Sequence, residues 1–157
     1  MSAEKYLYHL NYNFDYNKLK SYVIEEEFEP FESEYYGHIL DFWKIKRIKN
    51  DDYINSIKTD LNLEEAHPRF YILKKGHELE THKDEGTECA INVILSDNPE
   101  PIIINGIKYY YKSALIDVSQ NHSINESDHD RVLFKLTIKD KTFQQVKNIL
   151  ISNNYII

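Results

Sequence analysis

The sequence predicts a mainly β protein, a sandwich or barrel with supporting helices. The first observation is the sequence pattern after His67-Pro68, in which short apolar runs are separated by turn-forming residues. The second is Asn105-Gly106, which lies between an isoleucine run and a tyrosine-rich run and contains two residues that tolerate positive φ. The third is the length of 157 residues without a repeat or a flexible linker, which favours one domain with one core.

The predicted domain spans residues 1–157 and has three parts. Residues 1–66 should supply supporting helices and strands, residues 67–139 the β core, and residues 140–157 a C-terminal helix. The predicted elements of the first part are a helix over residues 16–27 capped by Asp15, a strand over residues 39–48, and a helix that begins at Asp51-Asp52 and ends at Leu61.

Five apolar runs are the predicted strands of the β core, and turn residues separate them. The runs cover residues 69–73, 89–95, 101–104, 108–118 and 132–138, and the turns fall at residues 75–76, 84–86, 96–99, 105–106 and 125–130. After the last run, Phe143, Val146 and Ile149-Leu150 recur at helical spacing, which predicts the closing helix over residues 142–151.

Composition argues against several function classes. The net charge of -7 and the lack of a basic stripe predict that the chain does not bind nucleic acid. Cys89 is the one cysteine, which excludes an internal disulfide and a cysteine-rich zinc site, and its apolar neighbours predict burial. No apolar run approaches the length of a membrane span and the N-terminus lacks a signal-peptide pattern, so we expect no membrane association and a reducing cytoplasm.

His82 and Asp84 are the first candidate metal ligands. Side chains at positions i and i+2 of an extended strand point to the same face, so these two residues can converge on one ion. His122 is the best third ligand, at the end of the run that begins at Ala114. Two histidines and one carboxylate leave open coordination positions, as in non-haem Fe(II) oxygenases, although zinc accepts the same ligand types.

Arg131 is the candidate anion-binding residue. It begins the strand "RVLFKLTI", in which strict alternation places Arg131 and Lys135 on one face and Phe134 on the opposite, apolar face. A guanidinium directed into a barrel needs an anionic partner, and its planar fork matches a carboxylate. The alternative is that Arg131 pairs with Asp128 or Asp130 in a surface turn.

Two further residues are candidates for the same pocket. Asn92 is the single polar residue of an apolar strand, so it either lines the pocket or is an ordinary core amide bonded to backbone. Tyr71 could offer its hydroxyl to a carboxylate. Tyr109 to Tyr111 should mainly pack in the sheet, with one or two reaching a substrate groove. His129, a rival metal ligand, is expected to be exposed.

The pair His82-x-Asp84 is followed by His122 about forty residues later and by Arg131 nine residues further. This order and spacing resemble those of the iron(II)- and 2-oxoglutarate-dependent dioxygenases. The resemblance covers residues 68–139. The string "HSINESDHDRVLFKLTI" is similar to the second histidine, turn and arginine-bearing strand of that family. The segment that leads to the first histidine, "YILKKGHELETHKD", is similar to the corresponding strand and turn in the branch that contains prolyl and aspartyl or asparaginyl hydroxylases.

The resemblance implies a double-stranded β-helix, the cupin-like jelly roll, with helices supporting its larger sheet. It implies that His82, Asp84 and His122 hold Fe(II) as catalytic ligands, and that 2-oxoglutarate chelates the iron while Arg131 binds its other carboxylate. O2 then drives decarboxylation to succinate and CO2, usually with hydroxylation of an amino-acid residue or a small molecule. Tyr71 and Asn92 are the predicted additional cosubstrate-binding residues.

Two alternatives remain at the level of the sequence. One is a non-catalytic jelly-roll protein with a binding or structural role, and the other is a cupin-like metalloenzyme that does not use 2-oxoglutarate. The sequence departs from prolyl hydroxylases, which usually have a lysine where Arg131 stands, and it leaves the substrate open.

Overall fold

The computed structural model describes residues 5–33, 38–97 and 100–157. Its helices are α1 (Tyr16–Lys20), α2 (Asp52–Asp60) and α3 (Phe143–Ser152), with a single 3-10 turn at Glu25–Glu27. Its strands are β1 (Leu7–His9), β2 (Glu29–Ser33), β3 (His38–Arg47), β4 (His67–Leu73), β5 (Leu79–His82), β6 (Cys89–Ile94), β7 (Ile102–Ile104), β8 (Ile107–Tyr109), β9 (Ser113–Ile116), β10 (His122–Ile124) and β11 (Arg131–Ile138).

The strands form two antiparallel sheets. The larger sheet has the order β1-β9-β6-β11-β4-β3-β2, and the smaller sheet has the order β5-β10-β7-β8. Apolar side chains of both sheets meet in one buried cluster, for example Leu73 and Ala114 from the larger sheet with Ile104 and Ile124 from the smaller one. The predicted mainly β architecture is therefore confirmed.

A second apolar layer lies on the opposite face of the larger sheet, where the helices pack. Phe134 and Leu136 of β11 contact this layer together with Leu19 of α1, Ile54 of α2 and Val146 of α3. Alternation along β11 consequently directs its other side chains between the two sheets, as the sequence predicted. The helices thus cover one face of the larger sheet, and the space between the two sheets holds both an apolar cluster and the polar side chains of β11.

The N-terminal helix is shorter than predicted. Asp15 caps it as expected, since its carboxylate accepts a hydrogen bond from the Lys18 amide at 3.0 Å. The helix ends at Lys20, however, and the prediction that it extends to residue 27 is wrong. The β-branched pair Val23-Ile24 and the like charges of Glu25–Glu27 disfavour a further helical turn.

The run over residues 108–118 is not one strand, contrary to the prediction. It divides into β8, which pairs with β7 of the smaller sheet, and β9, which pairs with β6 of the larger sheet. Tyr110 to Lys112 connect the two sheets, so Tyr111 stands at the crossing. The short strands β1, β2 and β10 were not predicted, since three to five residues carry too little periodicity.

Two local predictions are confirmed. Asn105 and Gly106 have φ values of 49° and 82° and form the hairpin turn between β7 and β8. Cys89 is fully buried, and burial raises the pKa of its thiol to about 12. Within the described residues, no helix has the length and apolar character needed to cross a membrane. The predicted turn at residues 96–99 lies partly outside the described residues.

We expect Thr142→Ala to destabilise the protein by about 1 kcal/mol, because it removes the cap of α3. The Thr142 hydroxyl accepts a hydrogen bond from the Gln145 amide at 3.2 Å, and the Gln145 side chain accepts one from the Thr142 amide at 2.8 Å. Urea unfolding measures the loss. Thr59→Ala, an exposed position within α2, is the matched control and should leave stability unchanged or slightly higher.

Candidate metal centre

Strand register brings the two predicted histidine ligands together. His82 is the last residue of β5 and His122 the first of β10, and the two are direct partners across the antiparallel pair. Their ring centroids are 4.4 Å apart. Asp84 follows two residues after β5, where its amide donates to the Val118 carbonyl at 3.1 Å. The pairing and this anchor direct three side chains to one point.

The three side chains form a compact, buried group of potential ligand atoms. Asp84 Oδ1 lies 3.3 Å from His82 Nε2 and 3.2 Å from His122 Nε2. One ligand atom from each of the three residues falls within 4.8 Å of the others. Both histidines are only 5% exposed, so bulk water contributes little to their solvation.

The ring orientation of both histidines fixes which nitrogen carries the proton. His82 Nδ1 lies 2.7 Å from the Glu80 carbonyl oxygen, and His122 Nδ1 lies 2.8 Å from the Gln120 carbonyl oxygen. A carbonyl only accepts, so each Nδ1 must donate, and in the neutral ring Nε2 then carries a lone pair. Backbone support of this kind is typical of histidines that bind a metal through the other nitrogen. Two lone pairs and a carboxylate oxygen facing one another repel unless a cation lies between them.

Lys135 of β11 holds the second oxygen of Asp84. Its ammonium donates to Asp84 Oδ2 at 2.9 Å, and the residue is 8% exposed. Burial alone would raise the pKa of Asp84, but the Lys135 ammonium holds that pKa well below its usual range. Burial lowers the pKa of Lys135, yet the Asp84 carboxylate more than offsets this and raises it. The pair is therefore charged.

Sequence reasoning did not assign Lys135 a role. The signal was present, because Lys135 lies between apolar residues near the middle of the strand and shares the face of Arg131. Nothing in the sequence shows that the loop after β5 would bring Asp84 beneath this lysine, since that contact depends on the pairing of distant strands.

Arg131, Tyr111 and Asn92 form a polar cluster further along the same space. Arg131 is 2% exposed and donates to the Glu100 carbonyl at 2.6 Å and to the Tyr111 hydroxyl at 3.2 Å. Asn92 Nδ2 donates to the same hydroxyl at 3.1 Å. In the described part of the chain, Arg131 Nε and Asn92 Oδ1 are buried without a hydrogen-bond partner. A buried donor and a buried acceptor left open are a costly arrangement that a polar ligand relieves.

The alternative surface pairing of Arg131 is not observed. Asp130 instead accepts hydrogen bonds from the Lys74 ammonium at 3.0 Å and the Lys75 amide at 2.9 Å. Among residues 5–33, 38–97 and 100–157, no carboxylate lies within ion-pair distance of Arg131. The alternative for Asn92, a core amide bonded to backbone, also does not fit, because its one hydrogen bond goes to the Tyr111 side chain.

The remaining predicted residues are distributed as follows. Tyr71 is 4% exposed and lies beside Lys135, whose ammonium is 5.5 Å from the Tyr71 ring. The Tyr71 hydroxyl accepts a long hydrogen bond of 3.5 Å from Arg69. Tyr110 is exposed, whereas Tyr111 reaches the interior. His129 is exposed, as predicted.

Solved structures of known proteins share this architecture. An oxidoreductase of the 2OG-Fe(II) oxygenase family from Burkholderia pseudomallei is 10% identical, with a TM-score of 0.57 over 82% of each chain. A prolyl-4-hydroxylase from Pseudomonas putida is 11% identical, with a TM-score of 0.57 over 80% of this chain and 84% of that chain. These likenesses establish the jelly-roll fold. No protein-family model matches the sequence, and no curated protein matches it.

The metal-ligand candidates and the Arg131 cluster line one cavity of this jelly roll, which we call the metal-site cavity. Its volume is about 50 Å³, room for a few water-sized groups among these side chains. Its walls include Trp43, Tyr71, Leu79, Ile102 and Val118. With neutral histidines, its charged groups are Asp84, Lys135 and Arg131, which leaves one positive charge in excess. The cavity therefore favours an anionic occupant.

We expect Lys135→Met to destabilise the metal-free protein by about 3 kcal/mol, because it leaves the buried Asp84 carboxylate without its cation. The cost should be smaller in an Asp84→Asn background, where no buried charge remains. Urea unfolding in the presence of a chelator measures both values as a double-mutant cycle. Lys139→Met, at an exposed position just after β11, is the control. Equal costs in both backgrounds would show that the two residues are not coupled.

Proposed function

We propose that this protein is an Fe(II)- and 2-oxoglutarate-dependent dioxygenase. One observation carries the proposal: a His-Asp-His ligand set and a buried arginine, which has no carboxylate partner among the described residues, share one cavity. The first feature suits a divalent metal with open coordination positions, and the second suits an anion that extends from that metal. The structural likeness to two oxygenases at 10% and 11% identity supports the fold alone.

The three proposed ligands fit iron. Lys135 engages Asp84 Oδ2, so Asp84 offers mainly Oδ1 to an ion between the histidines. Two imidazoles and one carboxylate oxygen on one side of an octahedral ion leave three positions for a chelating cosubstrate and oxygen. Zinc would accept the same donors, so the metal test below uses a signal that is specific to iron.

The Arg131 cluster fits the second carboxylate of 2-oxoglutarate. The guanidinium fork of Arg131 is already oriented by the Glu100 carbonyl and the Tyr111 hydroxyl, which lowers the cost of ordering it on binding. Tyr111 accepts two hydrogen bonds there, from Arg131 and Asn92, so its own proton is available to an oxyanion. A dianion offsets the positive charge that the metal and Arg131 would together place in the cavity.

The chain's own residues then have distinct roles. Bound Fe(II) and 2-oxoglutarate supply the oxidation chemistry, in which O2 is consumed and succinate and CO2 are released. His82 and His122 are held by backbone carbonyls and present Nε2 to the metal, while Lys135 fixes the carboxylate of Asp84. Arg131 orients the cosubstrate, and the aromatic walls at Trp43 and Tyr71 limit water beside the reacting groups.

We expect anaerobic addition of Fe(II) and 2-oxoglutarate to produce a visible metal-to-ligand charge-transfer band. The band requires iron and a chelating keto acid in one site, so zinc in place of iron should give none. Asp84→Ala combined with His122→Ala should abolish it, because two of three ligands are lost. Absorbance spectroscopy under argon is the measurement.

His129→Ala is the matched control for this experiment, since it removes an exposed histidine from the turn before β11. It should leave the band at full intensity. An absent band in the wild-type protein, or an unchanged band in the Asp84→Ala, His122→Ala protein, contradicts the proposal.

We expect Arg131→Gln to weaken 2-oxoglutarate binding by about tenfold or more, because charge-assisted hydrogen bonds to a carboxylate are lost. Metal affinity without 2-oxoglutarate should stay unchanged, since Arg131 is not a proposed ligand. Titration of the charge-transfer band with 2-oxoglutarate measures the effect, and Arg131→Lys should be intermediate. An unchanged affinity would contradict the role proposed for Arg131, whereas a wild-type protein that binds the metal but gives no band with 2-oxoglutarate would favour a cupin-like metalloenzyme that does not use it.

A further inference from the structure

A second groove opens from the metal site and has a different chemical character. It shares Trp43, Tyr71, His82, Asp84 and Lys135 with the metal-site cavity. Beyond them its lining contains three cations and two carboxylates. The cations are Arg47, Arg69 and Lys83, and the carboxylates at its edge are those of Glu32 and Glu85. We call this second space the arginine groove. Its volume is about 250 Å³, near the lower end of the range for small-molecule sites.

Three cations stand side by side at the floor of the arginine groove. In the larger sheet, Arg47 of β3 is the register partner of Arg69 of β4, and Arg69 is the partner of Lys135 of β11. Register partners point to the same face of a sheet. Neighbouring strands are about 4.8 Å apart, so the row extends about 10 Å from Lys135.

This row is electrostatically incomplete. Lys135 is paired with Asp84, and Arg47 is paired with Glu29 at 3.2 Å through side chains that are both more than half exposed. Exposed pairs of that kind contribute little. Half-buried Arg69 contacts the Tyr71 hydroxyl at 3.5 Å, and in the described part of the chain no carboxylate lies within ion-pair distance of it. Like charges directly opposite one another in a sheet are unfavourable, so the arrangement favours a bound anion.

An aromatic wall borders the same cations. Phe31 packs on Trp43 with ring centroids 4.5 Å apart, and Trp43 lies 5.5 Å from Tyr71. The arginine groove therefore offers an apolar surface beside guanidinium forks. Such a combination suits a molecule with an apolar or aromatic body and an oxyanion.

The arginine groove and the Arg131 cluster lie on opposite sides of the metal-ligand candidates. Along β11, Arg131 begins the strand, Lys135 contacts Asp84 in the middle, and Thr137 near the end lines the arginine groove. A cosubstrate held by Arg131 leaves this second space open. The position of the groove is thus that of a primary-substrate site.

We propose that the molecule oxidised at this centre carries a carboxylate or phosphate that Arg69 and Arg47 bind, with its apolar body against Trp43. The oxyanion then sits roughly one to two strand spacings, about 5–10 Å, from Lys135. This inference rests on the proposed function for the assignment of the groove as a substrate site. The oxyanion site itself needs neither metal nor 2-oxoglutarate.

Trp43 is the one tryptophan of the chain and lines both the arginine groove and the metal-site cavity, so its fluorescence reports binding in either space and variants assign the response to one of them. We would titrate metal-free protein with inorganic phosphate, with phenylacetate and with uncharged phenylacetamide. We expect a saturable change with at least one anion and binding of phenylacetamide about tenfold or more weaker than phenylacetate. The tighter of the two anions identifies the head group.

Variants locate the response. The Arg69→Gln, Arg47→Gln protein should bind the anion about tenfold or more weakly, and Arg69→Lys should be intermediate because it keeps the charge but not the fork. Lys20→Gln, an exposed position on α1, is the control for lost positive charge, and Arg131→Gln should retain the response because its cluster lies elsewhere. Circular dichroism melting shows that each variant is folded.

The possible results separate this inference from the proposed function. Three results would overturn the inference. The wild-type protein gives no saturable response, phenylacetamide binds as tightly as phenylacetate, or the Arg69→Gln, Arg47→Gln protein binds the anion as well as the wild type. Loss of the response in Arg131→Gln alone would also overturn it, by moving the anion to the other cluster. A normal anion response without a charge-transfer band would leave the groove in place and remove only the dioxygenase chemistry.

Discussion

The antiparallel register of β5 against β10 is the constraint on which the candidate site depends. His82 and His122 are direct partners in that pair, so their rings meet. A slip of one residue would turn one imidazole to the outer face of the smaller sheet, because side chains alternate along a strand. A slip of β10 would also move Ile124 out of the apolar layer between the sheets, whereas in β5 the register shift between the two pairs lets both Leu79 and His82 face inward. Burial of these apolar residues therefore fixes the geometry of the polar ones.

Charge balance between the sheets follows from that geometry. Asp84 approaches both imidazoles, and Lys135 comes to it from the opposite sheet with a contact of 2.9 Å. Buried pairs of this kind are weak evidence for stability, since desolvation offsets much of their attraction. The presence of this pair, together with the open polar atoms of Arg131 and Asn92, fits the proposed binding of a ligand better than a contribution to folding stability. The helices on the other face supply the apolar packing that tolerates this cost.

Local signals made much of the fold and the site predictable. Alternation in "RVLFKLTI" separated a packing face from a polar face, aspartates marked helix starts, and Asn105-Gly106 marked a hairpin. The spacing of His82 and Asp84 suggested a ligand pair. The structure brings those residues, His122 and Arg131 into one cavity, while their roles as ligands stay proposals.

What could not be predicted depends on contacts between distant segments. The short strands β1, β2 and β10 form because strands that are adjacent in space supply their hydrogen-bond partners. Their own residues carry no local pattern that predicts a strand. Residues 108–118 cross from one sheet to the other at Tyr111, although they were predicted as one continuous strand. Tyrosine has a high strand propensity, so the sequence does not distinguish one strand from two strands joined at this point. The row formed by Arg47, Arg69 and Lys135 joins three strands and is invisible to any reading along the chain.

The net charge limits how such a row can act on an anion. The chain carries a formal charge of -7, so its long-range field repels anions rather than steering them to the site. At physiological ionic strength that field is screened beyond about 8 Å, whereas groups within the groove are closer to a bound ligand than that. Recognition of an oxyanion would therefore depend on short-range hydrogen bonds from the guanidinium forks, and the benefit would appear in a slower dissociation rate more than in faster association.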